Sequence, residues 1–242
     1  DVARFGNFAS PDYGTIKSSE NYERRFIMTF PNETLPKGRK QKTTAIYDRL
    51  ISKGAVMGDS FGLENALWFA NDVKDAYEEA TFRRSRSHNY VALEVESVRN
   101  AVGITEIANF AKHEISGPDA RKFLDHVLAG TIPTPGRIAL NPMLSKKGKL
   151  YGDLTVACMN EEKFMLYGSG AVQEMHKRWF ENLLPKKGTY YKNKSDDFHG
   201  IAISGPNSRK LLSKISRDDV SNESLKFKDT KETFVAGVPA IL

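Results

Sequence analysis

The residue best suited to acid–base chemistry is an aspartate inside a predicted strand. Residues 150–159 have the composition of a β-strand, and Asp153 lies within them although aspartate has a low strand propensity. A positioned carboxylate can accept a proton from a reacting group and stabilise positive charge beside it. Taken from the residues alone, an aspartate at the edge of a hairpin is the more ordinary interpretation.

The other reactive side chains do not form a recognisable site. The five histidines lack the spacing of metal ligands, and one cysteine cannot build a zinc site with them, so we expect no metal. Cys158 lies among apolar strand residues, which favours a buried thiol over a reactive one. His113 alternates with apolar residues and is more typical of a structural histidine than of a ligand. No Gly-x-Gly-x-x-Gly run occurs, so the sequence predicts no dinucleotide-binding turn.

The charge of the chain attracts anions without specifying one. The net charge is +6, and the lysines and arginines form short clusters that are typical of solvated loops. These clusters lack the interleaved aromatic residues of a single-strand nucleic-acid platform, so we expect no specific nucleic-acid binding. No apolar run approaches the roughly 20 residues that span a bilayer, so we expect no membrane segment.

Three strands in succession would hold Asp153. Residues 137–144, 150–159 and 163–168 read as strands, and their short polar connections predict an antiparallel meander. Further strands are predicted at 110–116, 189–194 and 200–204. Helices are predicted at 118–128, at 171–184 with Trp179 and Phe180 on the buried side, and after Pro206.

The N-terminal third is less regular. Residues 1–42 read as irregular connections, and 55–88 show no strong period, although 72–80 could form two helical turns. A short helix is predicted at 45–53, with Gly54 as its stop. A second helix is predicted to start at Asn89, to carry an apolar valine stripe and to end at Gly103.

An internal repeat gives the strongest architectural signal. Ile115-Ser-Gly-Pro-Asp-Ala-Arg-Lys-Phe-Leu124 recurs 88 residues later as Ile203-Ser-Gly-Pro-Asn-Ser-Arg-Lys-Leu-Leu212, with seven of ten positions identical. Each copy reads as a strand that turns at glycine into a helix, with serine or Asp/Asn available as a cap and proline in the first turn. We therefore predict an α+β fold in which antiparallel sheets pack with helices and a pseudo-symmetric strand–turn–helix unit occurs twice.

This repeat, with the meander between its copies, resembles the folate-binding domain of the T-protein (aminomethyltransferase) family of the glycine cleavage system. More of the chain is similar to the dimethylglycine/sarcosine dehydrogenase branch of that family. The segments at 47–50 (YDRL), 62–70 (GLENALWFA) and 82–85 (FRRS) look like that branch's junction between flavin and folate parts. The segments at 136–143 and 148–156 resemble the central hairpin of the folate domain.

The resemblance implies a site on that hairpin. Asp153 takes the position of the family's catalytic carboxylate, which would accept the proton lost when a folate nitrogen attacks an iminium carbon. Leu140 occupies a position where many T-proteins have a tyrosine, and an apolar side chain there can still pack on the pterin ring. The implied folate-binding positions are Leu140, Tyr151, Thr155, Tyr167, Gly168 and Ser169.

The implied activity is tetrahydrofolate-dependent methylene transfer after oxidative demethylation of dimethylglycine, sarcosine or a similar N-methyl amine. Two alternatives stay open: methyl transfer to folate from another donor such as a sulfonium compound, and a non-catalytic regulatory protein with the same fold. The resemblance implies tetrahydrofolate and a methylated amine as small-molecule partners. It also implies a bacterial cytoplasmic or a mitochondrial matrix location.

The resemblance also predicts how the chain is organised. Residues 1–88 would be the junction that follows a flavin-binding domain, so FAD is expected only on a domain outside this chain. Residues 89–242 would be the N-terminal portion of the folate-binding domain, incomplete at its C-terminus. The chain is therefore expected to be part of a larger enzyme.

Overall fold

The computed structural model describes residues 10–60 and 62–242, which separate into two compact units. One unit comprises the residues up to 109 together with 199–206, and the other comprises 110–198 together with 207–242. The helices are α1 (Pro11–Glu23), α2 (Tyr47–Ser52), α3 (Ser87–Asn100), α4 (Ala120–Val127), α5 (Gln173–Leu183) and α6 (Ser208–Ile215). The strands are β1 (Ala55–Ser60), β2 (Leu63–Phe69), β3 (Gly103–Glu106), β4 (Ala111–Ser116), β5 (Arg137–Leu144), β6 (Leu150–Asn160), β7 (Lys163–Gly168), β8 (Tyr190–Asn193), β9 (Ile201–Ser204), β10 (Glu232–Val235) and β11 (Val238–Ile241).

Every pair of named strands is antiparallel. A five-stranded sheet in the order β5-β6-β7-β4-β8 holds the predicted meander, since β5 pairs with β6 and β6 with β7. β1 with β2, β3 with β9, and β10 with β11 form two-stranded sheets. The predicted α+β class with antiparallel sheets is confirmed.

The first unit contains a helix where irregular chain was predicted. Ser10 caps α1 by accepting a hydrogen bond from the Tyr13 backbone N–H at 3.0 Å, and Pro11 follows in the first turn. α1 carries no apolar stripe and is held instead by polar contacts. The Tyr13 hydroxyl donates to Asp59 at 2.6 Å, and buried Glu20 accepts from the Lys37 backbone N–H at 2.8 Å. Because the prediction relied on hydrophobic periodicity, it missed this helix.

A buried carboxylate anchors the same unit. Glu64 is 1% exposed and accepts hydrogen bonds from Arg39 Nε at 3.0 Å and from the Lys40 backbone N–H at 3.1 Å. Burial works to raise the pKa of Glu64, but the Arg39 and Lys40 hydrogen bonds outweigh it and hold that pKa below its usual value. This ion pair ties the segment before α2 to the β1–β2 hairpin.

Four local predictions in this unit were wrong. The interval 55–88 contains the β1–β2 hairpin, and the two helical turns expected at 72–80 reduce to a 3₁₀ helix at Val73–Asp75. α3 begins at Ser87 without a side-chain cap, not at Asn89. Val91 and Val95 of its expected buried stripe are exposed. The hairpin has a bulge between Val56 and Met57, which interrupts the period-two alternation that marks a strand in sequence.

The core of the second unit lies between one face of the five-stranded sheet and the helices α4 and α5. Leu154, Val156 and Cys158 of β6 point to this face, where they pack with Phe123 and Leu124 of α4. Phe180 is fully buried, and Trp179 packs against the cluster while partly exposed, as predicted for α5. The opposite face of the sheet therefore carries the alternate residues of each strand.

The repeat is also a repeat of conformation. Gly117 and Gly205 both have φ = +116°, and a Cβ on either would meet a backbone carbonyl oxygen at 2.6 Å or closer. The Arg121 guanidinium donates to the carbonyl of Pro133, and Arg209 donates to the carbonyl of Ser221, in each case twelve residues further along. The predicted side-chain caps are wrong, because the residues at the N-cap positions, Asp119 and Asn207, make no capping hydrogen bond through their side chains.

Candidate active site

The β5–β6 hairpin places Asp153 near its tip. The connection closes with Gly148, at φ = +72°, donating its backbone N–H to Ser145 at 2.8 Å. The register then shifts: Met143 opposes Gly152, but Leu144 opposes Leu150, which leaves Tyr151 as the extra residue of a bulge. Bulges redirect side chains and occur often beside active sites. Asp153, opposite Pro142, follows this bulge by two positions.

Four of the predicted site residues share one face of the five-stranded sheet. Directly opposed residues in a sheet point to the same side, and so do residues two apart on one strand. Leu140 opposes Thr155, and Thr155 opposes Tyr167, so these three line up across β5, β6 and β7. Asp153 lies two residues from Thr155 and joins them on this face, which we call the open face.

The open face is accessible at its Asp153 end. Asp153 is exposed, Leu140 is 66% exposed and Tyr151 is 46% exposed. No hydrogen bond or ion pair to the Asp153 carboxylate is found within residues 10–60 and 62–242. Tyr167 is half-buried, and burial raises the pKa of its phenol, so this side chain stays neutral at physiological pH. The arrangement is an unpaired carboxylate beside exposed apolar and aromatic surface.

Three predicted residues remain: Tyr151 is the extra residue of the bulge, so no strand pairing assigns it to a face, and Gly168 and Ser169 lie elsewhere. Gly168 is buried on the opposite, helix-covered face, where a Cβ would lie 2.6 Å from Leu154 Cδ2. Ser169 is exposed just beyond β7 and precedes a 3₁₀ helix at Gly170–Val172 without capping it through its side chain. Gly168 has no side chain to offer, and Ser169 lies beyond the end of β7, so no strand pairing places it on the open face. The predicted contact of their backbone with a pterin stays a prediction.

A second group of polar residues lies across the sheet from Asp153, on the helix-covered side, and the sequence analysis did not predict it. His176 of α5 is 1% exposed, and His113 of β4 is fully buried, with their ring centroids 5.6 Å apart. The ring of His176 lies against the backbone at Gly152 and Gly168. Gln173, His176 and Phe180 recur at helical spacing on α5, and this polar pair on an otherwise apolar face was the available signal.

Both imidazoles are held neutral. Burial, with a smaller contribution from His176, lowers the pKa of His113 to about 3. Burial also lowers the pKa of His176, while the Asp153 carboxylate acts in the opposite direction. Asp153 is therefore close enough to act electrostatically on a ring on the other side of the sheet.

One apparent nucleophile motif has another explanation. Residues 58–62 read Gly-Asp-Ser-Phe-Gly, which matches the Gly-x-Ser-x-Gly pattern of a serine nucleophile. That chemistry requires a sharp strand-to-helix turn, but Ser60 ends β1 and Leu63 begins the antiparallel strand β2. The match therefore lies in a β-hairpin and does not form a nucleophile elbow.

Neither a metal-binding cluster nor a membrane-spanning helix occurs among the described residues. No group of three or more His, Cys, Asp or Glu side chains there could hold a metal ion. No helix in the described ranges is both long enough and apolar enough to cross a bilayer.

Comparison with known proteins decides the family. Residues 46–242 match the model of the GCVT N-terminal domain, and residues 1–44 match the central domain of FAD-dependent oxidoreductases. The chain belongs to the GCVT N-terminal domain family. The sequence had predicted that FAD would be associated only with a domain outside this chain. The match to the central domain of FAD-dependent oxidoreductases lies inside the chain, so sequence related to flavin enzymes is present here as well. The division predicted at residue 88 stays a prediction.

The relatives include a mitochondrial dimethylglycine dehydrogenase and an aminomethyltransferase. The chain is 33% identical over 243 residues to human mitochondrial dimethylglycine dehydrogenase, covering 99% of this chain and 28% of the relative. It is 27% identical over 203 residues to the aminomethyltransferase of Thermosipho melanesiensis, covering 83% of this chain and 50% of the relative. The chain thus spans between about a quarter and a half of these relatives' lengths.

A solved structure supports the fold. The aminomethyltransferase T of the glycine cleavage system from Bartonella henselae matches with a TM-score of 0.60 and 18% identity, covering 79% of this chain and 47% of that chain. At this identity the match establishes the T-protein-like fold alone.

Proposed function

We propose that the open face is the acceptor side of a tetrahydrofolate-dependent one-carbon transfer, with Asp153 as its catalytic base. In the intact enzyme, oxidation of dimethylglycine, sarcosine or a similar N-methyl amine would generate an electrophilic iminium carbon. Tetrahydrofolate, when bound, supplies the nitrogen nucleophile that takes up this carbon. The single observation that carries the proposal is an unpaired carboxylate on an accessible sheet face beside exposed Leu140 and Tyr151.

The residues on and beside the open face have the chemistry needed to bind a pterin ring. A planar heteroaromatic ring gains stability by packing on apolar and aromatic side chains, which Leu140 and Tyr151 offer at 66% and 46% exposure. Thr155 and Tyr167 add hydroxyl groups on the same face, and both can donate or accept hydrogen bonds. The backbone at Gly168 and Ser169 is a further candidate contact for the ring.

Asp153 has two roles in this proposal. Its carboxylate accepts the proton that the attacking nitrogen loses, directly or through a water, and returns it to the amine nitrogen when the original carbon–nitrogen bond breaks and the amine leaves. It also stabilises positive charge close to the reacting carbon. No described residue pairs with the carboxylate, so no ion pair has to break before the proton is accepted. A base in this role typically accelerates a step by about 10²–10⁴-fold.

The similarity to dimethylglycine dehydrogenase favours an N-methyl amine as the donor over a sulfonium compound, because the match to the FAD-dependent oxidoreductase domain accompanies it. A free carboxylate on the open face favours catalysis over a purely regulatory role. The same relatives suggest a mitochondrial matrix or bacterial cytoplasmic location.

The test is a product-partition experiment with the full protein that contains this chain. Asp153→Asn should still bind tetrahydrofolate and still consume the amine, but formaldehyde from iminium hydrolysis should replace most of the methylenetetrahydrofolate. Asp125→Asn is the matched control, because Asp125 is an exposed aspartate on α4 away from the open face. Unchanged partition in Asp153→Asn would refute the role of Asp153.

A further inference from the structure

We propose that His176 is a positioning residue for Asp153, supporting the backbone of β6 and β7 from the helix-covered side of the sheet. The inference rests on the function proposed above for Asp153. His176 touches neither substrate nor folate in this account. It acts by fixing where the open face places its side chains.

The packing around two glycines locates the support. A Cβ on Gly168 would lie 2.8 Å from Cε1 of His176, and one on Gly152 would lie 3.6 Å from its Nε2. The imidazole therefore occupies the space that a side chain would take at Gly168, and it is in van der Waals range of the Cβ position at Gly152. Gly152 directly precedes Asp153, and Gly168 directly follows Tyr167. Any shift of the ring moves the backbone immediately next to these two open-face residues.

The ring of His176 is itself fixed by a layer of side chains. His113 meets it in an edge-to-face arrangement, with centroids 5.6 Å apart. His113 Nδ1 and the Tyr191 hydroxyl share a hydrogen bond of 2.9 Å, and Phe180 stacks with Tyr191 at 5.8 Å. The layer runs from β8 through β4 to α5, so three elements of the unit define the position of His176.

The buried polar side chains of this layer reduce the stability of the fold compared with apolar side chains of similar size. His113 Nε2, His176 Nδ1 and both amide atoms of Gln173 are buried, and no described residue offers them a hydrogen-bond partner. A buried polar group without a partner typically costs about 1–3 kcal/mol, whereas an apolar ring of similar size would not incur that cost. Several such groups concentrated next to a carboxylate on a sheet are typical of a functional site and not of a packed core.

Besides the packing contacts, the Asp153 carboxylate interacts electrostatically with His176. His113 of β4 packs against His176 on the helix-covered side, Gln173 lies on the same helix as His176, and Asp153 lies on the open face across the sheet. Of these, the Asp153 carboxylate favours the charged form of His176 and so works against the burial that lowers the pKa of His176.

The test compares kcat with KM for methylene transfer in the full protein. His176→Phe puts a larger six-membered ring against Gly168, and His176→Gln keeps a polar side chain of similar reach without a ring. We expect His176→Phe to lower kcat about tenfold to hundredfold, the cost typical of a small misplacement of a catalytic group. The KM for tetrahydrofolate should change less than about threefold, because Leu140 and Tyr151 stay available, and His176→Gln should restore most of kcat.

Two further variants keep the result decisive. Tyr191→Phe removes only the hydroxyl that fixes His113, and it should lower kcat in the same direction by a smaller factor without a change in KM. His126→Gln, an exposed histidine on α4, is the control and should match the parent. All rates are taken per folded molecule, with the melting temperature measured alongside.

The outcomes separate this inference from the proposed function. If Asp153→Asn loses transfer while His176→Phe and Tyr191→Phe keep the parental kcat, the positioning role is refuted and the proposed function stands. A fall in activity that only follows the folded fraction also refutes it. If Asp153→Asn retains full transfer, the proposed function fails and the positioning role fails with it.

Discussion

Lowering the pH should reduce the free energy of unfolding of the second unit, because His113 is buried there in its neutral form. His113 is fully buried, and burial lowers its pKa to about 3, whereas the unfolded chain has the ordinary value near 6.5. The folded-state pKa is the lower one, so the unfolded state binds the proton first as the pH falls. The contribution to stability is therefore fully present above pH 6.5 and is lost as the pH drops towards 3.

The magnitude follows from linkage. One proton taken up on unfolding costs about 1.4 kcal/mol for each pH unit, so lowering the pH from 7 to 5 removes about 2 kcal/mol. That is a substantial part of the about 5–15 kcal/mol that stabilises a typical domain. His176, whose pKa burial also lowers, adds to the loss in the same direction.

The assay is urea denaturation of parent and His113→Phe at pH 7, 6 and 5, with histidine proton NMR on the folded parent. The phenylalanine variant has no proton to gain at this position, so its stability should fall by about 2 kcal/mol less than that of the parent. His126→Gln serves as the control, because His126 is exposed. Equal pH slopes in parent and His113→Phe, or a His113 resonance that titrates near pH 6.5, would refute the reasoning.

Three further predictions concern stability and are checked by urea denaturation at pH 7. Gly168→Ala should destabilise the protein by about 1–3 kcal/mol, because its Cβ would overlap Leu154 and His176; an unchanged midpoint would contradict this packing. Gly14→Ala should stabilise it by about 0.5–1 kcal/mol, because the glycine lies within α1 and no atom of the described residues is within 4 Å of the added Cβ; a loss would show crowding there. Arg39→Met should cost about 3–5 kcal/mol, because Glu64 would keep a buried charge without its partner. The surface-pair variant Lys74→Met should cost under about 1 kcal/mol, and similar losses from both would contradict the burial argument.

The second unit was predicted well because its signals are local. Strands β5, β6 and β7 alternate or are apolar, their turns are short and polar, and the repeat marks both strand–turn–helix segments directly in the letters. Asp153 and Thr155 lie on one face of the sheet because residues two apart in a strand point to the same side, which can be predicted once the strand is known. The resemblance to a known family, and not the pattern, singled out Asp153.

The first unit was predicted poorly because tertiary contacts hold it together. α1 has no apolar stripe and depends on partners as distant as Asp59, which a local pattern cannot reveal. The β1–β2 hairpin was missed because the bulge between Val56 and Met57 interrupts the period-two alternation of its first strand. The layer containing His113 and His176 was missed because its members lie on three elements and meet only in the folded chain.

The most direct test of the account is a single-turnover measurement of methylenetetrahydrofolate formation in the full protein and its Asp153→Asn variant. With the flavin step completed beforehand and tetrahydrofolate saturating, the rate reports the transfer alone. The account predicts a fall of about 10²–10⁴-fold in the variant, with tetrahydrofolate affinity preserved. Transfer at the parental rate would contradict the assignment of Asp153 as the catalytic base.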